Sequence, residues 1–275
     1  MQKENKPDIP RIDVEEVIKS KNPRLLKIIP GFLIRKLKKI LHQDEINDFI
    51  SKNHNVSPYE FVNNGLKMFG AKIIIEGKEN LPENRRIILA SNHPLGGLDG
   101  LVFIKVVHDI YGELRFPVND LLLNISSLRE IFLPINKHGG HSREAFTAIE
   151  KAYESDLPVL YFPAGLCSRK IKGNIIDLQW KKSFVSQAVK HKRDIVPVHI
   201  EGKNSNFFYN LSNIRKIFGI KVNIEMLYLV DEMYNQFNKE IKISFGKPIS
   251  WKMFDKSKSI IEWTDFVRKK TYELA

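Results

Sequence analysis

RRIILASNHPLGGLDG, residues Arg85–Gly100, decides the fold of this chain. Arg85 to Asn92 is a short β-rich run. Its apolar letters Ile87, Ile88, Leu89 and Ala90 are continuous, as in a strand covered on both faces. Gly96 and Gly97 then turn the chain, and Gly97 to Tyr111 carries helical apolar spacing. Working outward, four further runs read as strands: KIIIEG (Lys72–Gly77), LPVLYF (Leu157–Phe162), DIVPVHI (Asp194–Ile200) and EIKISFG (Glu240–Gly246). Ser142–Ser155, Trp180–Lys192 and Ser259–Leu274 read as helices. Strands alternating with helices predict an α/β fold with a mixed, largely parallel sheet flanked by helices. Asp13 to Lys52 reads as helical, punctuated by Pro23 and Pro30-Gly31. The expected division is therefore 1–55, a helical segment, and 56–275, the main domain.

Composition narrows the function. Apolar residues at 43% and charged residues at 28% describe a globular chain that can bury a core. The 44 Lys and Arg against 32 Asp and Glu leave a net charge of +12. That excess suits a polyanionic partner: nucleic acid, an anionic membrane surface or an acidic carrier protein. Zinc-finger spacing and RNA-binding signatures are missing from the letters, so nucleic acid is set aside. Cys167 is the sole cysteine, which excludes an intrachain disulfide and fits a reducing compartment. The polar start MQKENKPDIPRID has no apolar signal core, and no run nears 18 apolar residues, so no spanning helix is expected. Between Arg24 and Lys39, six basic residues and no acid alternate with Leu25, Leu26, Ile28, Ile29, Phe32, Leu33, Ile34 and Leu37. A basic amphipathic segment of this kind predicts an interfacial membrane contact, though a helix pair packed on the core would show the same letters.

The chemistry sits in SNHPLGGLDG (Ser91–Gly100). Active residues of open α/β sheets lie just past the carboxyl ends of strands, and His93 stands there. Imidazole can take a hydroxyl proton near neutral pH while a carboxylate, here Asp99, fixes its tautomer. A turn-capping His followed by a helix-capping Asp would give the same letters. Gly96, Gly97 and Gly100 favour close substrate approach instead.

These residues resemble the first signature of the glycerolipid acyltransferase superfamily: Asn-His, four residues, then Asp. Here five residues separate His93 from Asp99. Three later segments arrive in the family's order, and the resemblance spans roughly Asn64 to Ser250. FLPINKHGG (Phe132–Gly140) stands where the family ends a strand in a basic residue that contacts the acceptor, which implies Lys137. FPAGLCSRK (Phe162–Lys170) looks like Phe-Pro-Glu-Gly-Thr-Arg-Ser and keeps Phe162, Pro163, Gly165 and Ser168. DIVPVHI resembles the late Val-Pro-Val strand. Ala164 replaces the usual Glu and Cys167 the usual Arg, which implies a head group other than glycerol phosphate, with Arg169 and Lys170 able to supply displaced charge.

The FPAG and HPLGGLDG forms look most like bacterial O-acyltransferases of ornithine and glycine lipids, often labelled hemolysins. The resemblance implies an acyl group moved from acyl carrier protein or coenzyme A to the hydroxyl of a lyso-lipid, an N-(3-hydroxyacyl) amino acid. His93 and Asp99 would be catalytic; Asn92, Lys137, Phe162, Pro163, Gly165, Ser168 and Arg169 would bind substrate; no cofactor is implied. Backbone N–H groups of the Gly165 loop would meet the oxyanion. The expected place is the cytoplasmic face of the inner membrane, held peripherally. Lysophosphatidate acylation and a catalytically inert, basic lipid-binding scaffold are the alternatives. His138 and His141 lack further ligands for a metal site. Cys167 reads as a packing thiol in preference to a nucleophile, and Phe207-Phe208-Tyr209 as an acyl-tunnel wall or plain core.

Overall fold

A computed structural model describes residues 11–119, 122–134 and 142–275. Helices α1 (Val14–Lys21), α2 (Pro23–Ile28), α3 (Gly31–Ile40), α4 (Gln43–Asn53) and α5 (Pro58–Met68) lead into β1 (Lys72–Glu76) and β2 (Ile87–Ser91). There follow α6 (Gly97–Tyr111), β3 (Phe116–Val118), β4 (Phe132–Pro134), α7 (Ser142–Glu154), β5 (Val159–Tyr161), β6 (Arg169–Ile171), β7 (Asn174–Ile176), α8 (Ser183–His191) and β8 (Asp194–Ile200). The chain ends with α9 (Asn206–Ile217), α10 (Leu229–Tyr234), β9 (Glu240–Phe245) and α11 (Ile260–Tyr272).

The central sheet has the order β1–β9–β8–β2–β5. Its strands are the five runs read from the sequence. β2 lies parallel to β8 and β5, β1 parallel to β9, and only the β8–β9 pairing is antiparallel. The fold is the expected mixed α/β one. Beyond β5, the parallel pair β3–β4 is attached through Arg115, whose N–H reaches Pro158 O at 3.0 Å and whose O accepts from Leu160 N–H at 2.9 Å.

β2 shows why an unbroken apolar run belongs at the centre. Ile87 and Leu89 join the core formed with Phe61, Val62 and Leu66 of α5 and Leu98, Val102 and Val106 of α6. Ile88 and Ala90 point the other way, onto Phe184, Val185 and Ala188 of α8 and Trp263 and Val267 of α11. Period-two alternation thus divides one strand between two cores. Each fully buried Ile or Leu contributes about 1.5–3 kcal/mol, so a polar letter anywhere in the run would be costly. Arg193, buried just before β8, donates to the carbonyls of Tyr153, Leu157 and Ile87 and ties the end of α7 to the entries of β5 and β2.

The N-terminal helices are joined to this body through α4 and the turn before it. Phe49 of α4 meets Phe61 of α5 edge-on at 5.0 Å. His42, between α3 and α4, stacks on Tyr234 of α10 at 4.0 Å and bonds Asp231 at 3.1 Å. Ile34 is the buried apolar residue of α3, whereas Ile28, Phe32 and Leu33 are exposed. Among the described residues no helix is long and apolar enough to cross a membrane.

Candidate active site

β2, β5 and β8 run in one direction, so the residues after Ser91, Tyr161 and Ile200 gather at one end of the sheet. His93 leaves β2 there. Its Nδ1 lies 3.0 Å from Asp99 Oδ2, which also accepts the Leu95 N–H at 2.8 Å. The extra residue in the His–Asp spacing is absorbed at Gly96, which has φ +83, a conformation costly for other residues. A side chain at Gly96 would press on Leu229, and one at Gly97 would come within 2.6 Å of Met233 Sδ. The glycine pair therefore lets α10 close over the turn while α6 starts early enough to bring Asp99 under the imidazole.

Asp99 is fully buried, and its Oδ1 has no hydrogen-bond partner among the described residues. Its charge is directed at the His93–Leu95 side. Burial lowers the His93 pKa, but the charge and hydrogen bond of Asp99, helped by Asp177, outweigh burial and leave it raised. With Nδ1 turned to Asp99, the ring presents Nε2 on its other side, and the side chain is 17% exposed. Phe162, just past β5, stacks on the imidazole with centroids 4.0 Å apart. Such a ring can take a proton at Nε2 while its orientation is held from two directions.

Several residues expected to contact substrate are engaged with the scaffold. Asn92 Oδ1 accepts the Ile200 N–H at 2.7 Å and its Nδ2 donates to Ile200 O at 2.9 Å. The amide imitates one more rung between β2 and β8. Ser168 is buried, donating its N–H to His93 O at 2.7 Å and its hydroxyl to Asp177 Oδ1 at 2.6 Å. Pro163 is buried, and its carbonyl accepts the Lys181 N–H at 3.0 Å. Arg169 is 1% exposed and its Nη2 pairs with Glu225 at 2.9 Å. Its charge is consumed inside the protein and is not presented to an acceptor. Lys137, with His138 and His141, lies outside the described residues.

Gly165 is exposed at φ +67 in the turn after Phe162. Its N–H is engaged by Phe162 O at 3.0 Å, so an oxyanion donor in this loop would be another N–H. A Cβ at Gly165 would stand 3.1 Å from Lys181 Nζ, so an exposed ammonium hangs over the turn. Cys167 packs with Phe208 and Tyr209, and burial pushes its thiol up to about 11, as suits a packing residue.

Asp177 was not visible in the sequence as a site residue. Its buried carboxylate accepts from the His93 N–H at 3.2 Å, Ser168 Oγ and Trp180 Nε1 at 2.8 Å. It thereby joins the His93 loop to the 165–170 loop. The letters IIDLQW carry no motif that marks it. Lys181 was missed for the same reason.

A family model described as "Acyltransferase" matches residues 16–275. The chain is 46% identical over 264 residues to the lyso-glycine lipid O-acyltransferase of Phocaeicola vulgatus, covering 96% of this chain and 95% of that one. The protein of the same name from Bacteroides thetaiotaomicron is 44% identical, with 96% and 97% covered. Among solved structures, the 1-acyl-sn-glycerophosphate acyltransferase PlsC of Thermotoga maritima superposes with TM-score 0.50 at 17% identity, covering 94% of this chain and 90% of that one, which shows a shared fold. With nearly its whole length matched by the family and its nearer relatives named as acyltransferases, this chain belongs to the acyltransferase family and is an enzyme that transfers acyl groups.

Proposed function

We propose that this enzyme moves a fatty acyl group from an acyl carrier protein or coenzyme A thioester onto the hydroxyl of a lyso-amino-acid lipid, an N-(3-hydroxyacyl) glycine. The His93–Asp99 pair carries the reading. Nε2 of His93 takes the acceptor's hydroxyl proton as the oxygen attacks the thioester carbonyl. Asp99 steadies the imidazolium, and collapse of the tetrahedral intermediate expels the thiolate, which receives the proton. Between the engaged N–H groups of Gly165 and Ser168, the Leu166 and Cys167 N–H groups are the donors we assign to the oxyanion.

The acceptor's carboxylate needs a cation. With Arg169 engaged by Glu225, Lys181 above Gly165 serves beside Lys137. Two relatives acting on lyso-glycine lipid at 44–46% identity support this acceptor. A second reading, lysophosphatidate acylation, is favoured by a Borreliella burgdorferi relative named 1-acyl-sn-glycerol-3-phosphate acyltransferase, 29% identical over 64% of this chain. The deciding measurement is kcat/KM for both acceptors in the same vesicles with one donor, then with the donor exchanged. A clear preference for lysophosphatidate overturns the amino-acid-lipid reading and leaves the acyltransferase assignment standing. The exposed Ile28, Phe32 and Leu33, beside exposed Arg24, Lys27, Lys36 and Lys39, support peripheral attachment through α2 and α3 to an anionic, inner-membrane surface.

A further inference from the structure

Between β8 and β9 the chain leaves the sheet for residues 202–238 and folds over the site. Leu229 and Met233 press on Gly96 and Gly97, and Asn204 Nδ2 donates to Pro94 O at 3.3 Å. At the far end of α9 the chain reverses through a left-handed Gly219 at φ +66. The Gly219 N–H reaches Lys216 O at 3.1 Å and the Ile220 N–H reaches Arg215 O at 2.9 Å, the paired bonds of a Schellman turn. Arg215 points inward, donating to Ile220 O at 3.1 Å, to Asn223 Oδ1 and to Glu225, whose other partner is Arg169. The turn is therefore braced from within by buried charges.

What the brace holds outward is apolar. Ile217 is 81% exposed, Phe218 75% and Val222 70%, with Ile214 and Ile220 exposed beside them. Side chains covered so little protrude as a tip, where a flat patch would shield its own members. Soluble surfaces seldom leave so much contiguous apolar area uncovered. No Asp or Glu occurs from Lys203 to Ile224, and the exposed cations there are Lys203, Lys216 and Lys221. Apolar side chains on a rigid turn, flanked by Lys216 and Lys221 in a stretch without acids, match an anionic bilayer, with tails receiving the former and headgroups the latter.

We propose that the α9 turn, residues 214–222, inserts into an anionic lipid surface as a membrane contact separate from α2 and α3, holding the His93 loop at the interface. The proposal does not depend on which acceptor is used.

The test uses the full chain with phosphatidylcholine vesicles, with and without phosphatidylglycerol. Ile217→Ser/Phe218→Ser/Val222→Ser alters only exposed positions, so its thermal unfolding should match wild type. Its partition onto phosphatidylglycerol vesicles should fall at least about tenfold, about 1.4 kcal/mol. In a second protein, Phe218→Trp, the introduced indole should shift to the blue and be quenched by brominated lipid when anionic vesicles are added. Unchanged sedimentation of the serine variant together with an unquenched indole would overturn the proposal. So would a wild-type dimer in light scattering that the serine variant abolishes, since the tip would then be covered by a second copy. If α2 and α3 keep the serine variant on the vesicles, the indole decides: quenching supports insertion and its absence refutes it.

Discussion

His93 and Phe162 lie ring on ring, their centroids 4.0 Å apart and their planes inclined by 17°. The imidazole is thus gripped edgewise by Asp99 and facewise by an aromatic that follows a different strand. Aromatic stacking contributes about 0.5–1.5 kcal/mol beyond burial. Phe162→Leu, which keeps most of the apolar volume, should therefore lower kcat/KM by about 2- to 12-fold. Steady-state acylation assays on the folded variant check this, and an unaltered rate would mean the stack does not orient the base.

Removing the base should cost more than loosening it. His93→Ala should reduce turnover by about 10²- to 10⁴-fold, the usual share of general-base catalysis. Asp99→Asn should fall steeply too, because an amide cannot stabilise the imidazolium that Nε2 protonation creates. Near-wild-type turnover by a folded His93→Ala protein would sink the mechanism.

The pH profile follows from the same pair. The base works when neutral, and its pKa is raised above 6.5. The acidic limb of kcat/KM should therefore lie above 6.5. Asp99→Asn removes the main raising cause and leaves burial, so the limb should move to lower pH. Protonated His93 also contributes folding stability, complete below the unfolded imidazole value and lost as pH rises through the raised folded one. Across that window the rate should rise with pH while the denaturation midpoint falls.

Arg169 should behave as a structural charge. It is buried against Glu225, itself held below the usual carboxylate range because hydrogen bonds and charge from Arg215 and Arg169 outweigh burial. Breaking one arm of a buried pair costs about 3–5 kcal/mol. Arg169→Met should lower the denaturation midpoint accordingly, with KM for the acceptor little changed. A large KM effect at wild-type stability would return Arg169 to the acceptor site.

Attachment through α3 can be separated from that stability. Lys38 bonds Glu15 at 2.6 Å, whereas Lys36 and Lys39 are exposed. Lys36→Glu/Lys39→Glu should therefore weaken binding to anionic vesicles and leave the melting temperature unaltered. Binding as tight as wild type would show that α3 turns away from lipid.

The strands of the central sheet were legible because each is a short apolar run, and α6 begins and ends where its letters said, at Gly97 and Tyr111. The His–Asp pair was legible because it is local. What the letters do not show is a polar residue's remote partner. Asn92 sits next to the base, yet its side chain meets Ile200. Arg169 looked like a surface cation because Glu225 is far along the chain. The β6–β7 hairpin escaped notice because its turn, Lys172-Gly173, takes positive φ at both residues without an Asn-Gly or Asp-Gly signal. Distance in sequence, more than weakness of propensity, hid these roles.

The antiparallel seam between β8 and β9 has a consequence for how such enzymes diversify. Adjacent antiparallel strands need only a two-residue turn to connect them, so the sheet places no demand on residues 202–238, between the Glu201 and Lys239 rungs. That stretch can lengthen, shorten or change its chemistry while the rungs from Val198 to Phe245 stay in register. Because the same stretch roofs the His93 turn, a lineage can exchange what surrounds its reaction centre by redrafting one insertion, provided Arg169 keeps a buried partner in the place of Glu225.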